Sequence, residues 1–148
     1  MSNRKKLSDV MNAKKFVALP EDATAAAAAK KMLERQVGAV VVMKGEAMVG
    51  IVTERDFNFR LVAAGLDPTT TKLTEIMTPN PKTFSPDTPV MTALETMQKR
   101  AYRHVPIEQD GRVIGIVSLR DIFLEVKRAL ESDIENSDQF IVGSGTTH

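Results

Sequence analysis

Two short segments of the sequence carry side chains that suit a phosphorylated ligand. They read Thr53-Glu54-Arg55-Asp56 and Ser118-Leu119-Arg120-Asp121, and each follows an apolar stretch. A hydroxyl can donate a hydrogen bond to a phosphate oxygen, and an arginine supplies positive charge. An ionised aspartate only accepts hydrogen bonds, which suits the two neighbouring hydroxyls of a ribose. The pattern is therefore typical of nucleotide binding rather than of catalysis.

The same side chains also suit a purely structural role at the start of a helix. Serine or threonine before a helix often caps it, and aspartate in the first turn complements the helix dipole. The unpaired N–H groups at that point also attract anions such as phosphate. Because the hydroxyl, arginine and aspartate recur at the same positions in both segments, we favour ligand binding, and the same atoms can cap the helix as well.

Both segments belong to an internal repeat. Leu7–Met11 is similar to Leu73–Met77, and Val49–Asp56 aligns with Ile114–Asp121, which keeps its glycine, isoleucine, valine, arginine and aspartate. Self-similarity over most of a chain predicts like units that pack apolar faces against each other. Only two copies are present, so we expect a pseudo-symmetric pair.

Each unit has the same predicted element order, β-α-β-β-α. In the first unit Asp22 is the predicted cap of an alanine-rich helix, and Gly65 ends the second helix. In the second unit Pro89 suits the first turn of a helix, and Asp110-Gly111 is a strong hairpin turn signal. The predicted strands are 17–19, 39–43, 48–53, 82–85, 105–108 and 112–118, and the predicted helices are 25–36, 54–64, 89–100 and 119–131.

These elements predict a mixed α/β (α+β) fold made of two repeats. The first repeat covers residues 7–66, and the second covers residues 72–131. Residues 65–71 link the repeats, and residues 132–148 form a predicted polar tail.

Composition narrows the class of protein further. Of the 148 residues, 43% are hydrophobic, and the net charge is only +1, without the basic excess expected for nucleic-acid binding. Without cysteine, thiolate nucleophiles and cysteine-ligated zinc are excluded, and His104 and His148 are the only histidines. We find no catalytic motif, no signal peptide and no membrane segment, so we expect a cytoplasmic protein that is not an enzyme.

The ordered set of motifs resembles a tandem pair of cystathionine-β-synthase-type (CBS) domains over about residues 7–131. The resemblance rests on the two opening segments (7–11 and 73–77), the proline-aspartate helix starts near Pro20 and Pro86, the two hairpins and the two closing signatures. It implies a regulatory sensor that binds AMP, ADP, ATP, NAD or S-adenosylmethionine in clefts between the repeats. It also implies a homodimer. With no room left for an effector domain, we expect a stand-alone module that signals to a separate effector protein.

The resemblance assigns roles to individual residues. The ribose-binding aspartate falls on Asp121 and Asp56, the phosphate-side hydroxyl on Ser118 and Thr53, and Arg120 and Arg55 suit a phosphate. The adenine-enclosing segments fall on Lys15, Phe16 and Val17 (continuing to Ala18), on Lys82, Thr83 and Phe84, on Ala39 and Val40, and on His104, Val105 and Pro106.

The two predicted clefts differ. Arg103 and His104 flank the strand end beside the second signature, where the first repeat has Gly38 and Ala39. His104 suits a phosphate as a donor, although a lone histidine at a strand edge is as often structural. We therefore favour the second signature as the ligand site. The alternative function is a ligand-free dimerisation scaffold whose signatures serve only as helix caps.

Overall fold

The computed structural model describes residues 5–11 and 16–143, and its described side chains end at residue 135. The strands are β1 (Ala18–Pro20), β2 (Ala39–Lys44), β3 (Ala47–Thr53), β4 (Thr78–Pro79), β5 (His104–Gln109) and β6 (Arg112–Ser118). The α-helices are α1 (Ala25–Arg35), α2 (Glu54–Asp56), α3 (Leu73–Ile76), α4 (Val90–Arg100) and α5 (Leu119–Gly143). A 3₁₀ turn at Leu7–Asp9 precedes them, and α2 continues as a π-helix over Phe57–Val62. The mixed α/β class with two similar repeats is confirmed.

The first repeat is built on a four-stranded sheet with the order β1-β2-β3-β4. β1 is parallel to β2, whereas β2, β3 and β4 pair antiparallel. Thr24, and not the predicted Asp22, caps α1, because its hydroxyl accepts from the Ala27 N–H at 3.1 Å. Asp22 lies two residues too early and is exposed.

The second repeat is built on the antiparallel β5–β6 hairpin. Its turn residues Asp110 and Gly111 have φ angles of 53° and 78°, as expected for the predicted tight turn. The predicted strand at 82–85 is reduced to one parallel bridge between Phe84 and Ile107. Pro89 lies at the N-cap of α4, one residue before its predicted place in the first turn.

The two opening segments are exchanged between the repeats. Leu7 is fully buried in the core of the second repeat, and its N–H donates to the Thr88 carbonyl at 2.9 Å. Leu73 is fully buried in the core of the first repeat, and its N–H donates to the Ala23 carbonyl at 2.9 Å. Each core is thus completed by a segment that the repeat boundaries assign to the other unit.

Two helices depart from the predicted lengths. The predicted helix at 54–64 becomes π-helical after Asp56, and Gly65 follows it with a φ of 71°. α5 continues past the predicted end at 131 as far as Gly143, so the first part of the predicted polar tail is helical.

A candidate ligand cleft between the repeats

A cleft of about 940 Å³ lies where the two repeats meet, a volume suited to a small ligand. The second repeat contributes the start of β5 and the β6–α5 junction. The first repeat contributes Glu54, the corner between α1 and β2, and Phe16 just before β1. The lining residues are Phe16, Gln36, Val37, Gly38, Ala39, Glu54, Arg103, His104, Ile116, Ser118, Leu119, Arg120, Asp121, Phe123, Leu124 and Lys127.

The second signature faces this cleft with one carboxylate oxygen free. At the β6–α5 junction the Asp121 N–H donates to the Ser118 hydroxyl at 3.0 Å, and the Ser118 N–H donates to Oδ2 of Asp121 at 3.3 Å. This reciprocal pair caps α5. Oδ1 of Asp121 accepts no hydrogen bond from any residue that the structure describes. It can therefore accept hydrogen bonds from a ligand, beside the N–H groups of the first helical turn.

The first signature has no such free oxygen. Asp56 is 7% exposed, and its Oδ2 accepts from the Thr53 N–H at 2.8 Å and from the Thr53 hydroxyl at 3.2 Å. Its Oδ1 accepts from the Thr78 hydroxyl at 3.3 Å and lies 3.5 Å from Nε of Arg60. The carboxylate of Asp56 thus binds together three elements of the first repeat, which is a structural role.

Arg55 does not line the cleft. Its guanidinium lies 5.3 Å from the centre of the Phe59 ring, in a cation–π contact at the protein surface. Both residues are exposed. Four residues after Asp56 the chain has Arg60, whereas four residues after Asp121 it has Glu125, so the two signatures differ just beyond their shared residues.

His104 is a partly buried base at the junction between the repeats. It pairs with Ser118 across the β5–β6 hairpin, and its Nδ1 atom is buried without a hydrogen-bond partner among the described residues. Burial lowers the pKa of His104 below its ordinary value of 6.5, the Glu54 and Asp121 carboxylates raise it, and Arg103 lowers it. Since burial has the largest effect, the ring is neutral at pH 7 and can donate one hydrogen bond and accept another.

The structure brings together only part of the predicted site. The predicted residues that line the cleft are Phe16, Ala39, Arg103, His104, Ser118, Arg120 and Asp121. Those that do not line it are Val17, Val40, Thr53, Arg55, Asp56, Lys82, Thr83, Phe84, Val105 and Pro106. Lys15 lies outside the described residues. A nucleotide role for any of these residues stays a prediction.

Sequence reasoning missed several lining residues. Phe123, Leu124 and Lys127 lie within two turns of Asp121, so helical spacing could have found them. Glu54 stands inside the first signature yet lines the cleft of the second, and no local pattern reveals that. Gly38, recognised only as a difference between the repeats, leaves the space that Glu54 and His104 occupy.

Two further features are absent from the part of the chain that the structure describes. Among them, no group of three or more histidine or acidic side chains could hold a metal ion. No described helix is long and apolar enough to cross a membrane.

Comparison with known proteins agrees with the architecture. A family model described as the CBS domain matches residues 7–62 and again residues 73–128. The mitochondrial CBS domain-containing protein CBSX3 of Arabidopsis thaliana is 34% identical over 148 residues, which span 93% of this chain and 72% of that protein.

Solved structures show the same arrangement. An uncharacterized conserved protein from Pyrococcus horikoshii matches with a TM-score of 0.77 and 30% identity, covering 86% of this chain and 96% of that chain. A putative signal-transduction protein with CBS domains from Burkholderia ambifaria matches with a TM-score of 0.71 and 27% identity, covering 84% of both chains. The chain therefore belongs to the CBS-domain family, whose members are generally regulatory modules, and it carries two CBS domains.

Proposed function

We propose that this protein is a regulatory module that binds one adenine nucleotide in the cleft between its repeats. The observation that carries the proposal is the free Oδ1 of Asp121, held in a ligand-sized cleft at the start of α5. A carboxylate in that position accepts hydrogen bonds from the two hydroxyls of a ribose. The protein acts in the cytoplasm and performs no catalysis of its own.

The charges around Asp121 support a phosphate beside the ribose. Arg103, Arg120 and Lys127 line the cleft, and the Ser118 hydroxyl can donate to a phosphate oxygen while it accepts from the Asp121 N–H. The first N–H groups of α5 add partial positive charge. AMP, ADP, ATP, NAD and S-adenosylmethionine all share the adenosyl group that this arrangement would recognise.

The adenine base would pack against an apolar part of the same cleft. Phe16, Ala39 and Ile116 line it with aromatic and aliphatic surface. These residues come from both repeats, so a bound nucleotide bridges them. A ligand shifts a protein between two arrangements only by binding one of them more tightly. A nucleotide that contacts both repeats binds more tightly to the arrangement that brings them together. A separate effector protein would respond to this change in arrangement.

We further propose that the module forms a homodimer through its helices. Leu33 in α1, Phe59 and Val62 after α2, and Leu130 and Ile134 in α5 are all more than half exposed. Exposed apolar side chains of this kind are the surface that a helix-to-helix dimer contact would bury. Sedimentation velocity tests this directly, and Val62→Glu should convert a dimer to a monomer because it places a charge in the interface.

A ligand screen tests the nucleotide proposal. A ligand that binds only the folded state must raise the unfolding temperature. We expect at least one adenosyl compound at millimolar concentration to stabilise the protein, and calorimetric titration then gives its affinity. If none of the five adenosyl compounds stabilises the protein, the nucleotide proposal is wrong, and the alternative of a ligand-free dimerisation scaffold is favoured.

A further inference from the structure

Glu54 places a negative charge from the first repeat in the cleft that we assign to the second signature. Its side chain lines the cleft and accepts no hydrogen bond from the residues that the structure describes. The corresponding position in the second repeat is Leu119, which is apolar. The cleft therefore has an acidic residue that the repeat symmetry does not require.

Gly38 explains how the carboxylate reaches this position. A Cβ atom added to Gly38 would overlap Oε1 of Glu54 and would lie 3.0 Å from Nε2 of His104. Oε1 of Glu54 and Nε2 of His104 thus both lie within 3.0 Å of the position that this Cβ atom would occupy. Any residue larger than glycine would push the carboxylate of Glu54 or the ring of His104 aside.

The neighbours of Glu54 are groups that suit a phosphate. The carboxylates of Glu54 and Asp121 both raise the pKa of His104, whereas Arg103 lowers it, so all three charges lie near this ring. His104 pairs with Ser118, and the Leu119 N–H donates to the Arg103 carbonyl at 2.8 Å, which fixes the start of β5 beside the start of α5. Glu54 is therefore close to the cationic end of the cleft, where the ligand phosphate would bind.

We infer that Glu54 is a specificity-determining residue that limits the number of phosphate groups the cleft accepts. This inference rests on the proposed nucleotide site and concerns its choice of ligand. The donors at the start of α5 are the Ser118 hydroxyl and the first N–H groups of the helix, which a single phosphate group can engage. A triphosphate carries about two more negative charges, which the carboxylate repels. The cleft should thus favour a nucleoside monophosphate over the free triphosphate.

Calorimetric titration with AMP and with ATP, both without divalent cations, tests the inference in the wild-type protein and in Glu54→Gln. For charges about 8 Å apart in a water-like dielectric, we expect the substitution to improve ATP binding about fivefold relative to AMP. Adding Mg²⁺, which neutralises part of the triphosphate charge, should improve ATP binding in the wild type more than in the variant.

Glu46→Gln is the matched control, because it removes the same charge from the turn at the far end of β3, where Glu46 lies 3.7 Å from Arg112. It should change the ratio of ATP to AMP affinity less than twofold. An unchanged ratio in Glu54→Gln overturns the inference and leaves the nucleotide site standing. Equal weakening of AMP and ATP, with inosine monophosphate unaffected, also overturns it, because Glu54 would then contact the adenine amine. No nucleotide binding by the wild type overturns site and inference together.

Discussion

Replacing Asp121 by alanine is the most direct test of the proposed site. Its free carboxylate oxygen would accept hydrogen bonds from the ribose, and a hydrogen bond to a charged group is worth about 1.5–3 kcal/mol. At about 1.4 kcal/mol for each tenfold change, losing one such bond weakens nucleotide binding about 10- to 100-fold. Calorimetric titration with the nucleotide that stabilises the wild type most gives the dissociation constants.

The capping role of Asp121 must be separated from the ligand role that we propose for it. Alanine also removes the acceptor for the Ser118 N–H, which costs about 1 kcal/mol of stability. Asp121→Asn keeps an oxygen that can accept that hydrogen bond but removes the charge. We therefore expect near wild-type stability for Asp121→Asn, with an affinity between those of the wild type and the alanine variant. Asp22→Ala, an exposed carboxylate at the far end of α1, should leave binding unchanged.

One result would refute the reasoning. If Asp121→Ala lowers the unfolding temperature but binds the nucleotide within twofold of the wild type, the carboxylate only caps α5. The ribose would then be held elsewhere, and the free oxygen of Asp121 would have no part in recognition.

Three further predictions concern stability, each measured by urea denaturation. Asp56→Ala should lower the free energy of unfolding by about 2–4 kcal/mol, because it removes a buried carboxylate and leaves its half-buried partners Thr53 and Thr78 unpaired, whereas Asp22→Ala should change it by less than about 0.5 kcal/mol. Leu7→Ala should cost about 2–5 kcal/mol and should speed amide hydrogen exchange in the second repeat, where this side chain is buried. Because the pKa of His104 is lowered on folding, wild-type stability should be complete above pH 6.5 and fall below it, and His104→Gln should lack that part of the pH dependence.

Each of these predictions has a contrary outcome. A loss below 0.5 kcal/mol for Asp56→Ala would mean that its four contacts contribute little. Faster exchange only in the first repeat of Leu7→Ala would contradict the exchange of opening segments. A stability difference between wild type and His104→Gln that stays constant from pH 7.5 to pH 5.5 would show that the ring is not protected from protonation.

Features that depend on neighbouring residues were predictable from the sequence. The Asp110-Gly111 turn, the paired strands on either side of it and the helix start at Ser118 all follow from local patterns, and the structure contains each of them. The repeat itself predicted two similar units, because similar sequences form similar elements. Local errors such as the cap at Asp22 arose because several residues before a helix can cap it.

Features that depend on packing were not predictable in the same way. The sequence places Leu7 and Leu73 at the start of their own repeats, yet each completes the core of the other. A segment of five residues does not determine which of two similar cores it will pack into. For the same reason Glu54 could not be assigned to the cleft of the other repeat, since only the folded chain brings it to His104.

The different roles of Asp56 and Asp121, however, are partly predictable from the sequence. Residues four apart on a helix are neighbours, so a carboxylate is satisfied by a cation at that spacing and repelled by an anion. Asp56 is followed at that distance by Arg60, which pairs with it at 3.5 Å, whereas Asp121 is followed by Glu125. The carboxylate of Glu125 forms ion pairs with Lys5, at 3.5 Å, and with Arg128.

This reversal of charge is one of the differences between the two signatures, beside the change from Glu54 to Leu119 within them. In the first repeat the arginine helps to draw the carboxylate into the structure, where it joins α2 to β4 through the hydroxyl of Thr78. In the second repeat no described cation pairs with Asp121, so its Oδ1 atom stays available in the cleft. The first signature thus holds its own repeat together, whereas the second leaves a carboxylate oxygen available to the ligand that we propose, and the residue four positions after each aspartate differs in the corresponding sense.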